Sequence, residues 1–389
     1  MQVEFENTSI AFESKTTLEL KRAYWLFRII SAKWMVNAGK LFTKIGFALH
    51  LPIKGIIKAT LFKQFVGGES IEDCEPTIQQ LWKYHIGTIL DYSVEGKEDE
   101  ESFDASLQEI LRTFDKASGD ERIPFCVFKV TGLARQELLE KVSSGNSLSN
   151  DELLEWKSVY QRVESICKKA SDNGQPVFID AEETWIQPAI DQLAWEMMLK
   201  YNQQQILIYN TVQLYRHDRL EYIKNLHQQA QKNGIKIGLK LVRGAYMEKE
   251  RARAELQNYP DPIQPNKSAT DRDFNAALEY CISHLNDIAI CAGSHNEASA
   301  QWLVELMQIR NIPSNHPHVW FAQLLGMSDH ISFNLAKAGF NVAKYVPYGP
   351  VKEVVPYLIR RAEENTSVKG QTGRELSLIT WELKNRRRK

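Results

Sequence analysis

Seven short, apolar, β-branched stretches each run straight into a polar or charged residue, and a helical stretch follows almost every one. They are CVFKV ending near Lys129, PVFIDAE at Asp180, ILIYNTVQ at Gln213, KIGLKLVRGAY at Arg243, IAICAGSH at His295, HVWFAQ at Gln323 and NVAKYVP at Tyr345. An eighth, weaker stretch, GTILDYSVE at residues 87–95, precedes them. Short buried strands alternating with helices read as parallel βα units. Eight such units point to an α/β fold, a closed (β/α)8 barrel of the TIM type, which puts its chemistry at the carboxyl ends of the strands. The expected organisation is an N-terminal helical arm over residues 1–86, the barrel over 87–365 and a C-terminal extension over 366–389.

The chain has 389 residues, more than the roughly 250 of a typical barrel of this kind. The excess falls mainly before the first strand. A hydrophobic content of 43% supplies one large core. A net charge of −1 gives no argument for nucleic acid as the main partner. The five cysteines (Cys74, Cys126, Cys167, Cys281 and Cys291) are scattered and form no CxxC pair. They read as reduced structural thiols, not as a disulfide frame or a zinc site. Glu4 and Glu6 stand where a secretory signal or a transit peptide would be basic. No segment approaches the ~20 apolar residues of a membrane span. The expected location is cytoplasmic, with at most a peripheral contact at the inner face of the membrane.

Residues 17–66 read as helical. Leu18, Leu20, Tyr24, Phe27 and Ile30 recur at helical spacing, as do Leu41, Ile45 and Leu49, with Pro52 as a break. Lys40, Lys44, Lys54, Lys58 and Lys63 alternate with apolar residues over 39–66. That pattern suits either an acidic bilayer surface or, as amphipathic helices more often do, packing on the barrel with the lysines in water. Residues 133–172 read as a long helical insertion turning at Ser143–Ser147.

Arg360 and Arg361 are adjacent on a predicted helix after the eighth strand, where barrels often bind anionic groups. Paired guanidiniums there suit a small carboxylate held through forked hydrogen bonds, against the plainer reading of an Arg360–Glu364 surface pair. Lys129 could form a Schiff base or add a third positive charge for the same anion. Asp180 would balance these cations. Metal binding competes, but no His and carboxylate set at the strand ends completes a shell. His295 is a hydrogen-bond donor more readily than a ligand. The glycine and alanine of Lys240–Tyr246 permit close approach of a flat or phosphorylated ligand, although no GxGxxG or Walker sequence occurs.

These residues carry a resemblance. FIDAEE at 178–183, TVQLY at 211–215, KLVRGAYMEKERARA at 240–254, YPDPIQPNKSATDRDFN at 259–275, SHNEAS at 294–299, QLLGM at 323–327, YVPYG at 345–349 and YLIRRAEEN at 357–365 run in the order found in proline dehydrogenases. The chain resembles that flavoenzyme family over essentially the whole barrel. It lacks the length of members that also carry an aldehyde dehydrogenase domain, so the resemblance is to a monofunctional one.

The resemblance implies FAD at the carboxyl face of the barrel with L-proline beside its ring. It implies hydride transfer from C5 to flavin N5, giving Δ1-pyrroline-5-carboxylate, with a membrane quinone as electron acceptor. Arg360, Arg361 and Lys129 match positions that hold the substrate carboxylate, with Glu364 ordering the arginines. Tyr345, Tyr357 and Leu324 match those that wall the ring. Ala181, Gln213, Lys240, Val242, Arg243, Gly244, Ala245, Ser294 and His295 match flavin positions, and Lys267 a pyrophosphate contact. Asp180, Lys240 and Tyr345 match positions of the catalytic network. Many bacterial members have arginine at Lys240; the KLVRGAY form resembles the mitochondrial type. A neutral amine must expel the hydride, so activity is expected to rise with pH. Two alternatives remain: a hydroxyproline dehydrogenase, against which the bulk of Tyr345 argues, and a lysine-dependent aldolase barrel using Lys129.

Overall fold

A computed structural model describes residues 3–32, 34, 54–93, 98–367 and 371–388. All eight expected strands form: β1 Ile86–Tyr92, β2 Phe125–Phe128, β3 Val177–Ile179, β4 Ile208–Gln213, β5 Ile237–Val242, β6 Ile288–Gly293, β7 Val319–Leu324 and β8 Val342–Tyr348. They follow one another in sequence order around a closed barrel. β8 continues three residues past Tyr345, and β7 one past Gln323. Residues 94 and 95 of the first expected stretch lie outside the described residues. The chain forms two compact units, Gly96–Ala322 and Met1–Glu95 with Gln323–Lys389.

In the unit Gly96–Ala322, the two-residue period of the strands decides which side chains face inward. Phe125 stacks on Phe178 with ring centroids 4.3 Å apart, and Tyr209 and Trp320 meet Phe125 edge-on. Each such pair contributes about 1 kcal/mol beyond its buried area. Stepping along the strands in twos from these rings reaches Lys129, Asp180 and Gln213. The extended backbone survives to Lys129 (φ −107°, ψ 139°) and to Asp180, whose N–H donates to Phe128 O at 2.9 Å. Lys240 opposes Thr211 on one side and Cys291 on the other, while its neighbours Leu239 and Leu241 are fully buried.

The expected insertion is a helix pair, Gln136–Ser143 and Asn150–Asn173, the second opened by a Ser149/Glu152 capping box. All five cysteines are buried free thiols. Burial pushes Cys126 and Cys291 up to about 12, far from the thiolate that chemistry needs.

In the other unit, β1 and β8 pair in parallel from Ile86↔Val342 to Tyr92↔Tyr348. A Thr16/Glu19 capping box starts the arm helix Thr17–Ile30. Its Leu20, Ala23, Phe27 and Ile30 bury against Val354, Tyr357 and Leu358 of helix Val351–Ser367 and Leu378 and Ile379 of helix Gln371–Arg388. Leu18 departs from the expected stripe and is 59% exposed. It sits two positions before Leu20, about 200° around the helix. Lys54 and Lys58 reach Glu69 at 3.1 and 2.7 Å, in keeping with lysines in water. Lys40, Lys44, Leu41, Ile45, Leu49 and Pro52 lie outside the described residues. Among the described residues no helix is long and apolar enough to cross a membrane.

Candidate active site

The unit Gly96–Ala322 gathers an ionic cluster at the carboxyl ends of β2, β3 and β5. Asp180 Oδ2 accepts from Lys129 Nζ at 2.5 Å, and Oδ1 accepts from Lys240 Nζ. Burial alone would raise the Asp180 carboxyl, but the two ammoniums outweigh it and hold it at about 2. Lys240, itself buried, also lies 5.3 Å from the centroid of the Phe178 ring. A basic residue inside a barrel needs a carboxylate, and here one carboxylate serves two. Lys129 is thereby engaged as an ion-pair donor, which leaves a Schiff-base nucleophile little support.

A second cluster forms around Arg243. Its Nε donates to Asp271 Oδ1 at 2.8 Å, Nη1 to Ser294 Oγ at 2.7 Å and Nη2 to Ser299 Oγ at 2.8 Å. Its guanidinium lies 4.4 Å from the Phe274 ring centroid. Burial, opposed by Asp271, lowers its basicity. Lys267, at the start of helix Lys267–Ser283, pairs with the same Asp271. Asp271 and Ser299 escaped the sequence reading. The i,i+4 spacing of Lys267 and Asp271 was the available signal. Ala245 is exposed, Ala181, Val242 and His295 are half-buried, and Ser294 is buried.

Gly244 has φ +130°, and a Cβ there would lie 2.4 Å from the Tyr215 ring. Only glycine fits both conditions. Gly244→Ala should therefore displace the Val242–Tyr246 loop and lower the melting temperature; an unchanged melting temperature would refute it.

Buried polar atoms test whether this face fits a cofactor. Gln213 Oε1 and Thr211 Oγ1 are buried with no hydrogen-bond partner among the described residues. Orphaned acceptors of this kind are costly unless a donor arrives. With Lys240, Arg243 and the Gly244 loop as neighbours in sequence or register, they fit a flat, polar, anionic group such as a flavin dinucleotide. Among the described residues no group of three His, Cys, Asp or Glu side chains is placed to hold a metal. Glu182, also missed, accepts from Thr131 N at 3.0 Å and Thr131 Oγ1 at 2.5 Å, and burial pushes it up to about 7. Its place in the DAEE run was the visible cue.

The other unit holds the remaining expected residues. Tyr345 on β8 and Tyr357 on helix Val351–Ser367 are buried, and Leu324 at the end of β7 packs on the same apolar cluster as Tyr357. Arg361 lies over the Tyr357 ring, 5.1 Å from its centroid. Arg360 and Arg361 are both half-buried. The side chain of Glu364 lies outside what is described. Gln323, near the end of β7, has its Oε1 accepting from Ser332 Oγ at 2.8 Å, which turns it toward helix Asp329–Lys337.

A closed parallel barrel with buried ionic and orphaned polar groups at its strand ends defines a (β/α)8 enzyme. Residues 74–374 match the family described as Proline dehydrogenase, and the chain belongs to that family of oxidoreductases. It is 32% identical to proline dehydrogenase 1, mitochondrial, of Dictyostelium discoideum, over 98% of this chain and 74% of that protein. It is 31% identical to hydroxyproline dehydrogenase of Mus musculus, over 96% of this chain and 92% of that one. The structure of proline utilization A from Bdellovibrio bacteriovorus inactivated by N-propargylglycine is 21% identical with a TM-score of 0.73. The match covers 94% of this chain but 38% of that one, and it shows the fold alone. Family membership sets aside the aldolase alternative.

Proposed function

We propose that this protein oxidises L-proline to Δ1-pyrroline-5-carboxylate with bound FAD and passes the electrons to a membrane quinone. The observation that carries the reading is the pair of orphaned acceptors, Gln213 Oε1 and Thr211 Oγ1, the second of them in register with the Asp180-held Lys240. FAD, when bound, supplies the two-electron acceptor. Gln213, Lys240, Arg243, Gly244, Ala245, Ser294 and His295 hold it, with Ala181 and Val242 lining and Lys267 toward the pyrophosphate. Arg360 and Arg361, with Lys129 as a further cation, take the substrate carboxylate. Tyr345, Tyr357 and Leu324 wall the ring. Asp180 fixes Lys240, and the family's chemistry asks for the substrate's neutral amine, so turnover rises toward alkaline pH.

The mouse relative is named for hydroxyproline, so the substrate needs its own test. Tyr345 is bulky and buried, which leaves little room for a ring hydroxyl. Anaerobic mixing with L-proline should bleach the visible flavin band faster than mixing with hydroxyproline. The reverse order would overturn the substrate, and no bleaching with either would overturn the reaction.

For the quinone side, the arm offers a second stripe. Leu18, Trp25 and Ile29 are exposed at helical spacing, with Trp381 63% exposed on helix Gln371–Arg388. Arg28 lies 5.2 Å from the Trp25 ring centroid, and a pocket between these helices is lined by Tyr24, Arg28, Trp381 and Lys384. Exposed aromatics beside cations suit an anionic bilayer surface at the inner face of the membrane of a cytoplasmic protein. The protein should sediment with anionic vesicles and not with zwitterionic ones, and the double substitution Trp25→Ser, Trp381→Ser should weaken that binding at least about fivefold. Unchanged sedimentation would remove this surface from the account.

A further inference from the structure

We infer that Lys344, Gln64 and Glu375 are positioning residues for the substrate pocket, because all three grip the loop that directly follows Leu324 at the end of β7. This rests on the reading of Leu324 as a wall of the substrate ring. The loop joins β7 to helix Asp329–Lys337 and is short, Leu325 to Ser328. Two of its residues have left-handed backbone, Gly326 (φ +74°) and Ser328 (φ +50°). Met327 N closes the turn on Leu324 O at 3.2 Å, and the side-chain grips on the loop come from outside it.

The grips come from distant parts of the same unit. Lys344 Nζ donates to Met327 O at 2.5 Å and to Leu324 O at 3.4 Å. Gln64 Nε2, from the N-terminal arm, donates to Gly326 O at 2.9 Å. Glu375 Oε1, from helix Gln371–Arg388, accepts from Ser328 N at 2.5 Å. Leu325 N donates to Tyr345 O at 2.8 Å, tying the loop to the second wall residue. A Cβ on Gly326 would lie 2.1 Å from Gln64 O, so the arm and the loop are in direct backbone contact.

The charges confirm that this is a built arrangement. Lys344 and Glu375 are 0% and 3% exposed. Asp329 Oδ1 lies 2.9 Å from Lys344 Nζ, and its Oδ2 accepts from Lys15 at 2.5 Å. Burying ammonium and carboxylate groups is expensive, and two of these, Lys344 and Glu375, bond the backbone at one short loop. Segments outside the βα repeat thus set the height and direction of Leu324. The C-terminal helix acts on substrate through Glu375 without touching it.

The test uses the full-length flavoprotein with Leu324→Ala as the reference. Leu324→Ala should raise KM for L-proline. Glu375→Ala should raise the same KM about tenfold, the loss of one charge-assisted hydrogen bond, with kcat and flavin content within about twofold. Glu375→Gln, which keeps an acceptor oxygen, should restore most of the difference. If Leu324→Ala raises KM and Glu375→Ala does not, the positioning role is wrong and the wall reading stands. If Leu324→Ala leaves KM unchanged, the wall reading fails and takes this inference with it. Should Glu375→Ala not fold, Gln64→Ala, which removes one neutral hydrogen bond, must raise KM about two- to threefold; no rise overturns the proposal. A fall in flavin content and kcat at constant KM would likewise show a structural role alone.

Discussion

Asp180→Ala should lower kcat/KM for L-proline by at least about two orders of magnitude and strip most of the flavin from the protein. Asp180 is 7% exposed and stands between Lys129 and Lys240. Removing one partner of a buried ion pair leaves an uncompensated charge at a cost of about 3–5 kcal/mol, and here one deletion strands two ammoniums. Lys240 would swing away from Phe178 or draw in water, and in either case the place proposed for it beside the flavin is lost. Asp180→Asn keeps shape and one acceptor, so its loss should be intermediate.

A pH signature separates this from general damage. The Asp180 carboxyl is depressed to about 2 in the folded protein, against about 3.9 unfolded. Its stabilisation is therefore complete above about pH 4 and is lost as pH falls through about 2. Melting temperature followed across that window should fall more steeply for the native protein than for Asp180→Asn. Equal slopes, or an Asp180→Ala protein that stays yellow with native KM, would place the cluster outside the reaction.

The barrel was legible because its signal is local. Each strand is a run of apolar β-branched residues, and the first polar residue after it marks the strand's end. Height along the barrel axis therefore comes from sequence alone. Facing does not, because a step of one residue turns a side chain to the opposite side. Gln323 illustrates this: it stands at strand-end height but bonds Ser332 on the helix side. Lys344 was invisible for the complementary reason. Within NVAKYVP it reads as a polar interruption before Tyr345, yet it is fully buried and anchors the loop that follows β7. The partners of Arg243 were lost to distance, Asp271 being 28 residues and Ser299 56 residues away. No period or spacing rule reaches that far, whereas Asp180 as a counter-ion followed from charge balance alone.

Arg361→Met should raise KM for L-proline about a hundredfold while kcat falls by much less. Methionine keeps the length and apolar stem and removes the planar fork. A charge-assisted bond to a desolvated carboxylate contributes up to about 3 kcal/mol, and each 1.4 kcal/mol is about tenfold. Arg361 already lies against Tyr357, 5.1 Å from its ring centroid, so the guanidinium is held before substrate arrives. Arg361→Lys should recover little, since a point charge neither stacks as well nor donates in parallel. Pyrrolidine, which has the ring but no carboxylate, supplies the control. Its slow oxidation should be the same in native and Arg361→Met proteins if Arg361 acts on the acid group. An equal loss with both compounds would mean that the guanidinium supports Tyr357 and the ring wall, and the carboxylate would then need another partner, with Arg360 next in line on the same helix.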